Sequence, residues 1–250
     1  FKAKSLTSIM TKLHQCKYRF GFTGTLDGTE THRLVLEGLF GSVEQVVTTK
    51  ELIDKKTLAN LKIKCITLKH PEKREKMTYA EELDYIVSHE KRNTFLCDLL
   101  HHLNGNTLCL FQLVEKHGKV LYERMKGKEN VYFVYGATSA EQREEIRTIV
   151  DKSKNSTTIA SYGTFSTGIN IRNINNIVLA SPSKSKIRVL QSIGRGLRTS
   201  SSKDSILVFD IADDISYKGR YNFTLNHFFE RLNIYNEEQF NYELSKVKIK

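Results

Sequence analysis

The chain has 250 residues and a mass of 28.8 kDa, and its 39% hydrophobic and 27% charged residues are typical of a soluble globular protein with a real core. Its 39 Lys and Arg exceed its 28 Asp and Glu, which gives a formal net charge of +11. We therefore expect an anionic partner, nucleic acid first. No apolar run has the length needed to span a bilayer, so we expect no membrane-spanning helix and no membrane partner.

Four cysteines are spread along the chain without a Cys-x-x-Cys pair: Cys16, Cys65, Cys97 and Cys109. This spacing favours reduced thiols in the cytoplasm over disulfides or a zinc site. The pair His101-His102 has no acidic or Cys partner at ligand spacing, so we expect no metal site. The start of the sequence is not a signal peptide and lacks Met, which favours a chain that begins inside a longer protein.

The first part of the chain predicts two helices with a strand between them. Apolar residues recur at helical spacing over 5–16, alternate over 18–22, and return to helical spacing over 29–40. The strand leads into the hydroxyl-rich turn Thr23-Gly24-Thr25. Open α/β sheets place ligands at such a turn, although an ordinary tight turn would look the same.

The remainder of the chain predicts an α/β protein. After a polar crossing segment over 48–60, a strand is expected at 61–68 and a helix at 78–103. Strands and helices then alternate as in a parallel sheet, with strands over 107–113, 131–135, 157–161, 176–180 and 205–210. We assign residues 1–47 to the end of one domain, 61–215 to a second domain, and 216–250 to a helical extension. The aromatic, basic extension is expected to pack on the core, with a stacking platform for bases as the alternative.

The segment Gln191-Ser192-Ile193-Gly194-Arg195-Gly196-Leu197-Arg198 carries the chemistry. On a helix, Gln191, Arg195 and Arg198 share one face, and two guanidiniums held side by side suit a polyphosphate. An amphipathic surface helix with solvated arginines is the alternative. Gly194 and Gly196 argue against it because each costs a helix interior about 1 kcal/mol relative to Ala. Close approach of another backbone or a ligand explains them better.

The loops after the predicted strands carry small or hydroxyl residues: Gly136-Ala137-Thr138, Gly163-Thr164 and Ser181-Pro182-Ser183. Such an edge can follow a sugar-phosphate backbone without reading bases. The chain has no Gly-x-x-x-x-Gly-Lys-Ser/Thr loop, and no acid directly follows Asp210, which favours a structural strand end there. The residues thus describe half of an ATPase, with arginines that reach a γ-phosphate held elsewhere.

These motifs together resemble superfamily 2 helicases over about residues 5–212. The Gln191 segment looks like motif VI, and Thr164-Phe165-Ser166-Thr167-Gly168-Ile169-Asn170 looks like motif V. Phe22-Thr23-Gly24-Thr25 resembles motif III, and residues 108–113 fit motif IV. The resemblance implies a RecA-like parallel sheet flanked by helices, the second motor domain, together with the end of a first RecA-like domain.

The resemblance also implies roles for individual residues. Arg195 and Arg198 would contact the γ-phosphate, one of them as the finger, with Gln191 beside them. The other roles fall to three groups: Gly168 and Asn170 near the ATP ribose; Thr23, Gly24 and Thr25 coupling the ATP site to DNA; and Gln112, Gly136, Thr138 and Thr164 on DNA phosphates. Gly24 replaces the commoner Ala of motif III, and Asn170 replaces the usual acid of motif V.

The function implied is that of an ATP-dependent DNA helicase or translocase acting on branched DNA in recombination and repair. ATP and Mg²⁺ would be held mainly by the part absent from this chain, so the chain alone is expected to be inactive. Partners would be single- or double-stranded DNA or an RNA–DNA hybrid, and we expect a monomer. A catalytically silent RecA-like module that binds nucleic acid is the alternative from another class. A restriction-type translocase or an RNA helicase would share the motifs.

Overall fold

The computed structural model describes residues 4–23, 30–71, 77–164, 171, 173–183, 185–197 and 205–249. The chain divides into two compact units, Phe1–Thr48 and Thr49–Lys250. In the first unit, helix α1 spans Lys4–Lys12 and helix α2 spans Glu30–Phe40. The strand expected over 18–22 is not formed. A strand needs a neighbour for its backbone hydrogen bonds, and the described residues of this unit contain no other strand.

The second unit is built on a seven-stranded sheet in the order β3-β4-β2-β5-β6-β1-β7, with every neighbouring pair parallel. The strands are β1 (Asn60–Lys69), β2 (Thr107–Phe111), β3 (Val131–Val134), β4 (Thr157–Ser161), β5 (Asn176–Leu179), β6 (Ser205–Asp214) and β7 (Tyr242–Lys248). The prediction of a parallel sheet flanked by helices is confirmed. Parallel strands buried on both faces read as short apolar runs, which is why the sequence reveals them.

The helices of this unit are α3 (Thr49–Asp54), α4 (Tyr79–Ser88), α5 (Glu90–His102), α6 (Lys119–Met125), α7 (Ala140–Lys152), α8 (Lys186–Gly196) and α9 (Phe223–Glu237). The Ser139 cap expected for α7 is present as a capping box with Gln142. The helix expected over 78–103 is divided at His89, which has an extended backbone and accepts a hydrogen bond from the Arg92 N–H. A short π-helical turn, Val114–Gly118, joins β2 to α6.

The core lies in two layers, one on each face of the sheet. Along β2, Leu108 and Leu110 face one cluster, which includes residues of α8 and α9, while Cys109 and Phe111 face the other, which includes residues of α5 and α6. This alternation is the period of two that a strand imposes on its side chains. Because every neighbouring pair of strands is parallel, the carboxyl ends of all seven strands lie at one edge of the sheet. Helices pack on both faces.

The expectation of a wholly helical extension over 216–250 is wrong for residues 242–248, which form the edge strand β7. Ile63 of β1 is in register with Tyr242, and Lys69 with Lys248. Without β7, the outer edge of β1 would present a row of unpaired backbone groups, and pairing satisfies them. The other part of the extension, α9, is anchored by buried Glu82 of α4, whose carboxylate accepts the Thr224 N–H at 2.6 Å and the Phe223 N–H at 2.9 Å.

Candidate functional site

The arginine helix α8 packs on one face of the sheet through Val189, Ile193 and Leu197, which are fully buried. Gln191 is exposed on the opposite side, as the helical spacing predicts. Arg195 belongs to α8, but its side chain lies outside the described part of the structure, and Arg198 follows the last described residue of this segment. The other predicted residues outside the described ranges are Gly24, Thr25, Gly168 and Asn170.

The two glycines of α8, Gly194 and Gly196, have different surroundings. A Cβ added to Gly196 would collide with Ile206 and would lie 2.8 Å from the Ile177 Cδ1 atom, so the glycine lets the helix approach β5 and β6 closely. The interpretation of Gly196 as the neighbour of another backbone or a ligand is therefore wrong, because strand side chains occupy that space. A Cβ on exposed Gly194 would meet none of the described residues outside its own helix within 4 Å, so among these residues the space beside Gly194 is open.

Three neighbouring strands bring the predicted DNA contacts to one edge of the sheet. Gln112 follows β2, Gly136 and Thr138 follow β3, and Thr164 follows β4. Gln112 and Gly136 are exposed, whereas the Thr164 hydroxyl is buried 2.8 Å from the Ser161 hydroxyl. Gly163, beside Thr164 in the same turn, is exposed. Thr23, the one described member of the predicted coupling turn, is exposed in the first unit.

Residues 180–183, which begin the loop between β5 and α8, are buried, contrary to the expectation that this loop follows a phosphate backbone. Ser181 is 2% exposed and Ser183 is 6% exposed. The sequence interpretation treated short hydroxyl residues at a strand end as solvent-facing. These two hydroxyls instead lie inside the protein, so they are unavailable to nucleic acid.

A buried ion pair that the sequence analysis missed holds the start of this loop. The Arg92 guanidinium donates to both carboxylate oxygens of Asp213, at 2.8 and 3.0 Å, and to the Ala180 carbonyl at 2.7 Å. His70 lies 2.8 Å from the same carboxylate. Burial alone would raise the pKa of Asp213, but the Arg92 charge and the hydrogen bonds from His70 and Arg92 lower it to about 2. Arg92 precedes Leu96 by one turn and so shares the apolar face of α5, which is the signal that could have revealed it.

A second buried pair holds the loop from the other face of the sheet. Arg231 of α9 donates to Asp210 at 2.7 Å and to the Ser183 carbonyl at 2.9 Å. The Tyr235 hydroxyl donates to the same carboxylate at 2.8 Å. Asp210 is thus fully engaged by protein groups, as expected of a structural strand end. The two pairs fix both ends of the segment that leads into the arginine helix.

His117, in the π-helical turn, joins the first pair to the end of β2. Its Nε2 lies 3.4 Å from the Arg92 guanidinium, and its Nδ1 lies 3.0 Å from the Ser181 Oγ. A guanidinium only donates, so Nε2 accepts and Nδ1 carries the proton. Burial and the Arg92 charge lower the pKa of His117 to about 3. His117 is therefore neutral at physiological pH.

The pKa of His117 makes the stability of the protein fall in mild acid. The unfolded chain takes up a proton on this residue below its ordinary pKa of 6.5, and the folded protein does so only near 3. We therefore expect the free energy of unfolding to fall by about 2 kcal/mol from pH 7 to pH 5 because of His117. Urea denaturation at both pH values measures this loss, and in His117→Gln the loss should shrink by that amount.

Protonation of Asp213 does not contribute to the difference in stability between pH 7 and pH 5. Its pKa is lowered to about 2 from 3.8, so its contribution is present above pH 4 and is lost only as the pH falls further towards 2. The other histidines are common to both proteins and cancel. An equal loss in the His117→Gln variant and the unmodified protein would contradict the prediction.

The described residues form neither a metal site nor a membrane span. They contain no group of three or more His, Cys, Asp or Glu that could hold a metal ion. None of the helices there has the length and apolar character needed to cross a membrane. Cys65, Cys97 and Cys109 are buried free thiols, and burial raises the pKa of each.

Comparison with known proteins relates the sheet and the arginine helix to a known family. Residues 91–200, from α5 to just beyond α8, match the helicase conserved C-terminal domain family. The chain contains a helicase C-terminal domain. The resemblance to helicases is thereby confirmed, and the sheet flanked by helices is the RecA-like fold of such domains.

The helicase C-terminal domain and the rest of the chain are similar to the ATP-dependent DNA helicase UvsW of Enterobacteria phage T4. The identity is 34% over 98% of this chain and 52% of UvsW. The crystal structure of T4 UvsW matches with a TM-score of 0.65, covering 98% of this chain and 51% of that one. The chain thus spans about half the length of this curated relative.

More distant structures share the fold of the helicase C-terminal domain. The ATP-dependent Type ISP restriction-modification enzyme LlaBIII bound to DNA matches with a TM-score of 0.57 at 11% identity, covering 85% of this chain and 17% of that enzyme. Dbp5 of S. cerevisiae, bound to RNA and ADP BeF3, matches with a TM-score of 0.53 at 14% identity, covering 91% of this chain and 50% of Dbp5. At these identities the likeness concerns the fold alone.

Proposed function

We propose that this chain is the C-terminal half of an ATP-dependent DNA helicase or translocase. Its substrates are branched DNAs such as Holliday junctions, stalled forks and R-loops, in recombination and repair. The observation that carries the proposal is the 34% identity to UvsW over 98% of the chain, which includes the arginine helix. The net charge of +11 supports a nucleic-acid partner. The intact protein works as a monomer in the cytoplasm.

The role of α8 is to present its polar face to the γ-phosphate of ATP. The helix packs on the sheet through its buried face, while Gln191 is exposed and no described residue outside the helix fills the space beside Gly194. Arg195 and Arg198 add two positive charges there. When water displaces ADP from the γ-phosphate, negative charge spreads over the transferred oxygens, and a fixed guanidinium stabilises that charge without prior reorganisation.

The remaining nucleotide contacts are divided between the two halves of the protein. Gly168 and Asn170 lie near the ribose, and Thr23 to Thr25 couple the ATP site to DNA. Mg²⁺ and the β-phosphate are held by the other half, because this chain has no Gly-Lys loop. The chain alone is therefore inactive in ATP hydrolysis.

The DNA contacts lie along the carboxyl ends of β2, β3 and β4. Exposed Gln112 and Gly136 and half-buried Thr138 face a phosphate backbone there. The Thr164 side chain is turned inward, so we assign the contact of this turn to the backbone around Gly163. Such contacts bind a phosphate backbone without selecting a sequence.

The test is ATP hydrolysis by the intact protein, with and without branched DNA, beside this chain alone. We expect DNA-dependent turnover in the intact protein and none in the chain alone. An intact protein that binds DNA in a salt-sensitive way but never hydrolyses ATP would instead be a silent nucleic-acid-binding module. Stimulation by RNA but not by DNA would make it an RNA helicase.

A further inference from the structure

We propose that the Ser181 hydroxyl, with His117, is a positioning link through which DNA bound at Gln112 raises ATP turnover at the arginine helix. The inference rests on the proposed function and assigns part of its regulation to two buried residues. Neither residue touches DNA or ATP. They act on the position of the segments that are proposed to contact DNA and ATP.

The DNA side of the link is the end of β2. The Gln112 side chain is exposed, but its backbone N–H points inward and donates to the Ser181 Oγ at 3.1 Å. The same oxygen receives the Nδ1 proton of His117 at 3.0 Å. One hydroxyl oxygen thus accepts two hydrogen bonds from the segment that carries the predicted DNA contact. A phosphate that binds Gln112 acts on a residue whose own backbone forms half of the link.

The π-helical turn packs tightly against the end of β2. Gly118 closes the turn with a 2.9 Å hydrogen bond to the Leu113 carbonyl. A Cβ at Gly118 would collide with the Phe111 ring, so the turn is pressed against the end of β2. Single π-helical turns are frequent at functional sites. Here the turn directs His117 inward between Arg92 and Ser181.

The ATP side of the link is the loop that leads into α8. Arg92 holds the Ala180 carbonyl, the Tyr162 hydroxyl donates to the Ser181 carbonyl at 3.2 Å, and Arg231 holds the Ser183 carbonyl. The Ser185 carbonyl then accepts the Val189 N–H in the first turn of α8. The Ser181 hydroxyl therefore belongs to the segment that leads directly into the helix carrying Arg195, and a change in its hydrogen bonds acts on the start of that helix.

The experiment is Ser181→Ala in the intact protein, which removes only the shared acceptor. ATP turnover is measured with saturating branched DNA and without DNA. We expect the turnover with DNA to fall about five- to tenfold while the turnover without DNA stays within about twofold, a change within the usual range of coupling between two sites. DNA affinity should change little, because the substituted residue is buried.

Ser156→Ala is the matched control. Its hydroxyl is equally buried and donates to Asn106 Oδ1 at 2.8 Å, but it lies at the amino end of β4, the opposite edge of the sheet. The ratio of turnover with DNA to turnover without DNA should stay unchanged in this variant. His117→Gln should lower the ratio as Ser181→Ala does, and the double variant should lower it no further, because both act on one link.

Three results would overturn the inference alone: an unchanged ratio in Ser181→Ala, an equal fall of both turnover rates, or the same loss of ratio in Ser156→Ala. Independent, additive effects of the two link residues would also count against it. If the unmodified intact protein shows no stimulation by DNA, the proposed function fails and the link fails with it.

Discussion

Alanine at Arg195 or Arg198 in the intact protein is expected to lower ATP turnover by about 10³-fold or more. The reason is that a guanidinium opposite the γ-phosphate stabilises charge that develops only in the transition state, so its loss is felt in the rate rather than in binding. The kcat for ATP hydrolysis with saturating branched DNA measures the loss. DNA affinity, measured by fluorescence anisotropy, should stay within about threefold, since DNA is bound elsewhere on the sheet edge.

Arg147→Ala is a suitable control for general effects of removing a positive charge. Arg147 lies on the surface of α7, where it pairs with Glu144 and Asp151 within its own helix. Its removal should leave ATP turnover within about twofold, because such exposed pairs contribute little. Retained turnover in both Arg195→Ala and Arg198→Ala would refute the assignment of the finger to this helix.

The second large effect is on stability, at the pair Arg92–Asp213. Both side chains are completely buried. Asp213→Ala would leave the Arg92 charge inside the protein with the Ala180 carbonyl and His117 as remaining partners, and we expect the free energy of unfolding to fall by about 3–5 kcal/mol. Urea denaturation at pH 7 measures it.

Asp84→Ala provides the comparison on the surface. Asp84 lies 2.6 Å from Lys116, with both side chains more than half exposed. Although that distance is shorter than the one in the buried pair, solvent screens the charges and the expected loss is below about 1 kcal/mol. Similar losses of unfolding free energy in the two variants would mean that other groups compensate the Arg92 charge. The double replacement Arg92→Met with Asp213→Leu should recover most of the stability, because no unpaired charge remains.

The elements of the second unit were largely predictable because each carries its own local signal. The strand over 157–161 opens with three β-branched residues in a row, Thr157 to Ile159, and α7 begins with a capping box. The inward face of α8 follows from the spacing of Ile193 and Leu197. These signals depend on neighbours along the chain, which is what a single sequence displays.

The features that were missed depend on partners far away in the sequence. Arg92 and Asp213 are separated by 121 positions, and no local pattern indicates that two charges will meet inside the protein. The strand β7 has exposed, charged residues such as Glu243 and Lys246, because only one of its edges is paired and its faces are largely open. Alternation over 18–22 indicates a strand, but a strand forms only where another lies beside it.

The place of β1 in the sheet sets the order in which the domain can fold. Asn60 pairs with Ser205, and Ile63 pairs with Tyr242, so both neighbours of this strand come from the last fifth of the chain. During synthesis on the ribosome, β1 emerges long before either neighbour exists. Strands β2 to β5 can assemble first through shorter connections, and β1 joins them late because loop closure over such a distance is slow. Until then, β1 has no neighbouring strand for its backbone hydrogen bonds.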